Sequence, residues 1–199
     1  VVMGVEAQRS ERMHINQQTM AMNVLDSLRM DLKFADSDTI QINGGGAPSD
    51  GSLANEMEFD TVDMGTGDTI TVTYTYVIPS ENTRDGDIIR TEVRGGTTTT
   101  RSFRSGFGLP MGITCGVDPS GTECFSFEAN PLAHSNAPIK RVRINELVIT
   151  DMAAIGDCES GTATGSSHGS CSIMDRHFGQ NTFRINQSSF DIMSGMHFQ

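Results

Sequence analysis

The sequence predicts an α+β fold: a long N-terminal α-helix packed on antiparallel β-sheet, with a loop-rich surface and disulfide-closed loops. It does so through an uninterrupted helical stretch, an abrupt change to strand periodicity after Ala35, and four cysteines set in two local pairs. The expected division is a helix over residues 1–36 and a globular antiparallel β domain over 37–199.

From Glu6 to Ala35 the chain contains neither Pro nor Gly, and good helix formers dominate. Ala21, Val24, Leu25, Leu28, Leu32 and Ala35 recur at steps of three and four, which places them on one apolar stripe facing a core. Asp26, Arg29 and Lys33 fall on the other side. The stretch from Glu6 to Asn16 lacks that stripe, so part of the helix is expected to project from its own domain. Asp36-Ser37-Asp38 ends the helix, and Gly44-Gly45-Gly46 with Pro48 forbid its continuation.

Beyond the helix the period is two. Met57, Phe59 and Thr61 alternate with Glu56, Glu58 and Asp60, and Ile70, Val72, Tyr74 and Tyr76 alternate with threonines. Ile88 to Val93 follows an Asp85-Gly86-Asp87 turn, so these runs predict an antiparallel meander, which Thr97 to Phe103 extends with a weakly specified register. Residues 104–138 read as connection, with a short strand at Phe125 to Glu128. A strand from Val142 running on through Leu147, Val148 and Ile149, and a last one from Thr182 to Ile192, complete the reading.

The chain's 199 residues fit one domain, and its formal net charge is −11. Through Lys33 the acids Glu6, Glu11, Asp26 and Asp31 are balanced by Arg9, Arg12, Arg29 and Lys33, so the deficit lies in the β region. An acidic β region argues against nucleic acid, and no polybasic patch is present to attract a membrane surface. Cys115 with Cys124 and Cys158 with Cys171 suit disulfides and an oxidising compartment, although three connectivities are open on paper. Val1-Val2-Met3-Gly4-Val5 reads as the trailing edge of a longer apolar helix.

One long N-terminal helix followed only by β-structure and a cysteine-bounded loop near the C-terminus resembles the type IV pilin and type II secretion pseudopilin superfamily. The segment Val24-Leu25-Asp26-Ser27-Leu28-Arg29-Met30-Asp31-Leu32-Lys33-Phe34-Ala35-Asp36 is similar to the second half of the helix in its larger minor subunits, the J-type pseudopilins and W-type minor pilins. Ile70 to Tyr76, followed by Ile88-Ile89-Arg90-Thr91-Glu92-Val93-Arg94-Gly95-Gly96, extends the likeness over roughly half the chain. The resemblance implies a pilin-like fold and a structural subunit, not an enzyme, in the tip or priming complex of a type IV pilus or type II secretion pseudopilus. The family's cleavage site, methylated N-terminal residue and apolar half-helix would lie upstream of Val1. It further implies a subunit anchored in the inner membrane with its domain in the periplasm, or extracellular in the assembled filament, and other pilin-like subunits as partners. Val2, Val5, Arg9, Arg12, Met13 and Met20 would then face neighbouring subunits, while Ala21, Val24, Leu25, Leu28, Leu32 and Ala35 face their own sheet.

Competing readings attach to particular residues. Gly165-Ser166-Ser167-His168-Gly169 matches a nucleophile-elbow pattern with Ser167 as nucleophile, but such an elbow needs a strand before it and a helix after it. Cys158, His168, Cys171 and His177 form a zinc-compatible ligand set at a spacing that fits no common zinc module. Glu56, Glu58, Asp60, Asp63, Asp68, Asp85 and Asp87 suggest calcium, assigned to no particular residues, yet alternating acids ordinarily form a solvated strand face. No cofactor is otherwise expected. The twelve methionines, Met22 and Met30 on the helix among them, read as packing filler, and His14, His134 and His197 have no assigned partner. The rival from another class is a pilus-borne adhesin or ligand-binding β-domain on a helical stalk.

Overall fold

The computed structural model describes residues 2–77, 86–104, 111–116, 123–129, 139–151, 182–186 and 188–192; within these, the side chains of 2–7, 9, 10, 151 and 182 are not described. The described chain begins with one helix, α1 (Val2–Lys33). Strands follow: β1 (Gln41–Ile42), β2 (Leu53–Ala54), β3 (Glu56–Val62), β4 (Thr69–Val77), β5 (Asp87–Arg94) and β6 (Thr97–Ser102). The remaining strands are β7 (Met111–Cys115), β8 (Phe125–Ala129), β9 (Ile139–Ile144), β10 (Leu147–Asp151), β11 (Thr182–Ile185) and β12 (Ser188–Asp191).

All pairings are antiparallel, in sheets ordered β1-β3-β4-β5-β6, β11-β10-β7 and β12-β9-β8-β2. This corrects the expected fold class. The structure is mostly β, with twelve strands in three sheets against a single helix among the described residues, and a pilin-like helix-on-sheet α+β fold is not what it shows.

The five-stranded sheet contains the meander that strand periodicity predicts. Its alternation is strict: Met57, Phe59 and Thr61 on β3 and Ile70, Val72, Tyr74 and Tyr76 on β4 are buried, while the residues between them are not. A two-residue turn joins β5 to β6, with Gly95 at φ 53° and Gly96 at φ 81°. Two successive positive φ angles give a turn whose twist matches the strands, which glycine reaches without a Cβ penalty.

On the opposite face the acids of β3 are paired with threonines of β4. Each acid of β3 accepts a hydrogen bond from the threonine directly across on β4: Thr71 Oγ1 to Asp60 Oδ1 at 2.7 Å, Thr73 Oγ1 to Glu58 Oε2 at 3.0 Å, and Thr75 Oγ1 to Glu56 Oε2 at 3.4 Å.

Several element predictions need correction, among them the helix end, which falls at Lys33 and not at the expected residue 36. The strand expected to run from Val142 through Ile149 is broken at Asn145-Glu146 into β9 and β10, which belong to different sheets. Asn145 makes the crossing: its N–H donates to Cys124 O at 3.0 Å, its Nδ2 donates to Glu123 O at 2.9 Å, and its Oδ1 accepts from Ser126 Oγ at 2.8 Å. The last predicted strand is likewise two, β11 and β12, in two sheets. Strand β7 lies in a stretch read as connection.

One core joins these layers. Met20, Val24, Leu28 and Leu32 of α1 are fully buried with Phe59 and Tyr74 of the five-stranded sheet, Ile113, Leu147 and Ile149 of the three-stranded sheet, and Phe125, Val142 and Ile144 of the four-stranded sheet.

A disulfide between Cys115 and Cys124 links the end of β7 to the approach of β8, and thus two different sheets. Asn55 secures the same junction, since its Oδ1 accepts from Cys124 N at 2.9 Å and its carbonyl accepts from Tyr76 N at 2.7 Å. The bridge closes a loop with a sequence separation of 9, and restricting the unfolded chain over about ten residues contributes roughly 2.5 kcal/mol. Replacing both cysteines by alanine is therefore expected to lower stability by about that amount in urea unfolding; a loss below about 0.5 kcal/mol would show that the bridge constrains nothing the unfolded chain lacks.

Candidate functional site

The helix offers two chemically different faces. Towards the body, Met20, Ala21, Val24, Leu25, Leu28 and Leu32 are buried, with Ala35 just past the helix end, and α1 packs on β10, β11 and β12. The body-facing stripe thus holds the six positions that helical spacing assigns to it.

Met20 differs from its expected role. The resemblance places it at a subunit interface, yet it is 0% exposed and belongs to the chain's own core, one turn before Val24. Arg12 is exposed and Met13 half-buried, while the side chains of Val2, Val5 and Arg9 lie outside the described set. His14 meets the ring of Phe183 edge-on at 5.8 Å, so contact between helix and body begins well before Ala21.

The outward face carries Glu11, Arg12, Ile15, Gln18, Thr19, Met22, Asp26, Arg29, Met30 and Lys33, all exposed. Ile15, Met22 and Met30 stand 53%, 43% and 60% exposed at steps of seven and eight, close to two helical turns each. They form a narrow apolar line bordered by charge, including an Asp26–Arg29 pair at 3.2 Å.

An ionic tether at the C-terminal end of α1 fixes the helix to the five-stranded sheet. The Asp31 carboxylate accepts from Arg90 Nε at 2.6 Å and from Arg90 Nη2 at 3.1 Å, a two-point arrangement, and from the Tyr74 hydroxyl at 2.7 Å. Tyr74 and Arg90 sit directly opposite each other on β4 and β5, so both reach the same carboxylate. Thr61 Oγ1 adds a bond to the Asp31 carbonyl at 3.3 Å.

The tether continues across the sheet: Arg90 Nη1 bonds Glu92 at 2.8 Å, Arg94 Nη2 contacts Glu92 at 3.3 Å, and Arg94 Nη1 pairs with Asp63. Burial opposes the Arg90 charge, but its bonds to Asp31 and Glu92 outweigh that and hold the guanidinium pKa above its ordinary value. Burial, reinforced by the Asp31 charge, pushes the Tyr74 phenol far above its usual range, so it serves as a permanent donor.

Asp63 anchors the β3–β4 turn. Its Oδ1 accepts from Gly65 N at 2.7 Å, and that bond, helped by Arg94, holds its pKa below the ordinary 3.8. A folded-state pKa depressed in this way contributes stability above the ordinary value and loses it as pH falls through the lowered one. Carboxyl NMR titration is expected to find Asp63 titrating below 3.8, with Arg94→Gln bringing it part of the way back. An unshifted Asp63 would mean that the turn is not closed by its carboxylate.

Among the described residues no three His, Cys, Asp or Glu side chains converge as metal ligands, and no helix is long and apolar enough to cross a membrane. Cys158, Cys171, Ser167, His168, His177, Asp85, His134 and His197 lie outside the described residues. The tether itself had no sequence signal that picks it out, since Asp31 lies 43 positions from Tyr74 and 59 from Arg90. Comparison with models of protein families, with curated proteins and with solved structures finds no match.

Proposed function

We propose that this chain is a minor pilin or pseudopilin, a non-enzymatic structural subunit in the tip or priming complex of a type IV-type filament. The observation that carries the reading is the division of labour along α1. Its second half is sunk into the core and tied down through Asp31, while an apolar line bordered by charge is left on the outward side. A helix held so firmly on one side is suited to transmit force between its body and whatever the outward side engages. The reading rests on this helix and on the resemblance of its sequence, and takes no support from the arrangement of the sheets.

In this reading the partners are other pilin-like subunits, and the domain works in the periplasm or outside the cell, anchored at the inner membrane before assembly. The Cys115–Cys124 bridge agrees with an oxidising compartment.

Co-purification of the chain with co-expressed pilin-like neighbours tests the proposal. Retention of at least one such neighbour, weakened by Ile15→Glu and Met22→Glu, is the expected result. Binding to cells or glycans with no pilin-like neighbour retained would favour an adhesin on a helical stalk, a reading to which the threonine-rich outer face of the five-stranded sheet lends some support.

A further inference from the structure

The two edges of the five-stranded sheet are treated differently by the chain. On the β3 side the middle of the strand is covered: Glu58 pairs with Gln41 of β1, Glu56 O accepts from Asn43 N at 3.1 Å, and Asp60 both donates to Thr39 Oγ1 at 2.8 Å and accepts from Asp36 N at 2.8 Å. On the other side, β6 pairs with β5 alone among the described residues, and its residues Thr97 to Arg101 are all exposed. Natural sheets blunt such edges with Pro, Lys, a bulge or a very short strand. The sequence Thr-Thr-Thr-Thr-Arg-Ser has none of these, apart from its single arginine, and β6 runs six residues.

The register fixes which groups are on offer. Phe103 N donates to Ile88 O at 3.1 Å, so 103 opposite 88 is a hydrogen-bonded pair, and the alternation of an antiparallel ladder makes Arg101, Thr99 and Thr97 bond inward to β5. Thr98 and Thr100 therefore turn their N–H and C=O groups outward, where among the described residues nothing meets them.

We infer that β6 is a self-association edge, at which a second copy of this chain adds its own β6 antiparallel about a two-fold axis through Thr99. The middle of the β3 edge is covered, so head-to-tail addition of one five-stranded sheet to the next is blocked, and β6 with β6 is the pairing left. Outward-turned residues must face one another. The register with Thr98 opposite Thr100 of the second copy, and Thr100 opposite its Thr98, satisfies that on both sides of the axis. It also sets Arg101 opposite Thr97, which leaves the two Arg101 residues about 13 Å apart along the strands, beyond the roughly 8 Å screening length at physiological salt. Sliding by two residues towards Arg101 halves that separation, and sliding the other way leaves only residues 97–99 of each β6 overlapping, so charge and overlap together select the Thr99-centred register. The result is a ten-stranded sheet whose added cross-strand contacts are threonine to threonine. This inference does not depend on the filament reading.

Sedimentation of the full chain at rising concentration, to about 1 mM, is expected to show a monomer–dimer equilibrium. Because each copy carries a net charge of −11, the dimer should strengthen with salt. Thr100→Pro removes one outward N–H per copy at an edge position that proline tolerates, and should weaken the dimer at least about tenfold with unchanged circular dichroism. In the proposed register the two Thr99 Cα atoms face each other at about 4.5 Å, within disulfide reach, whereas two Thr98 residues are staggered beyond it. Thr99→Cys should thus cross-link under oxidation at least about tenfold faster than Thr98→Cys, both measured above the unsubstituted chain. A monomer throughout overturns the inference. So does a dimer indifferent to Thr100→Pro, or equal cross-linking at positions 98 and 99. Loss of filament partners in the co-purification would leave all of these outcomes unaffected.

Discussion

Leu28→Ala is expected to cost roughly 3–4 kcal/mol of folding stability, the largest single loss we predict. Leu28 is fully buried at the middle of the helix stripe, with Val24 and Leu32 equally buried one turn to either side. Removing its branched end deletes apolar contacts and leaves a cavity walled by a helix on one side and strands on the other, which cannot both collapse into it. In a domain of this size the loss corresponds to a fall in Tm of roughly 6–16 °C. Met30→Ala, on the outward face and 60% exposed, is the control and should change stability by less than about 0.5 kcal/mol. Equal effects at the two positions would mean that the helix is not seated as described.

Asp31→Ala is expected to cost about 3 kcal/mol, for a different reason. The Asp31 and Arg90 side chains are only 15% and 18% exposed, so deleting the carboxylate leaves a largely desolvated guanidinium with Glu92 alone and strands the Tyr74 hydroxyl. Most of the cost is this abandonment rather than the net worth of the pair. Arg90→Met and the double variant complete a cycle that separates the two contributions, and a coupling of about 2 kcal/mol is expected. Tyr74→Phe should cost less, about 1 kcal/mol, because Arg90 still holds the carboxylate at two points. Additive single variants would show that the tether is a surface ion pair with no structural role. Hydrogen exchange of the helix amides gives a second readout: Asp31→Ala should loosen the last turns of α1 before the sheet opens.

These two sites differ in how far the sequence reveals them. Leu28 is legible because burial on a helix imposes a spacing of three and four, and Ala21, Val24, Leu25, Leu32 and Ala35 repeat the signal. Met20 obeys the same spacing, one turn before Val24, and was legible in principle. The buried stripe therefore starts at Met20, one turn earlier than Val24. Asp31 carries no comparable mark, since a charged residue between Leu28 and Leu32 reads as part of the solvated face until Tyr74 and Arg90 are brought against it.

Strand content follows the same division. The alternation in β3 and β4 and the paired glycines at 95 and 96 specify a meander from neighbouring residues alone. The β9–β10 break does not announce itself, because Val142 to Ile149 is apolar enough to read as one strand. Asn145 interrupts it only because Glu123, Cys124 and Ser126 are there to satisfy its backbone and amide groups.

By itself, then, the sequence determined the helix and its buried stripe, the meander with its acid–threonine alternation, and the local pairing of Cys115 with Cys124 as one of three open choices. Tertiary structure decided that the strands divide among three sheets, that the chain is mostly β, that Met20 is core, and that Asp31 joins helix to sheet. The physical reason is range: periodicity and turn chemistry act between residues a few positions apart, whereas the choice of sheet and the partners of a buried charge depend on groups that only folding brings within reach.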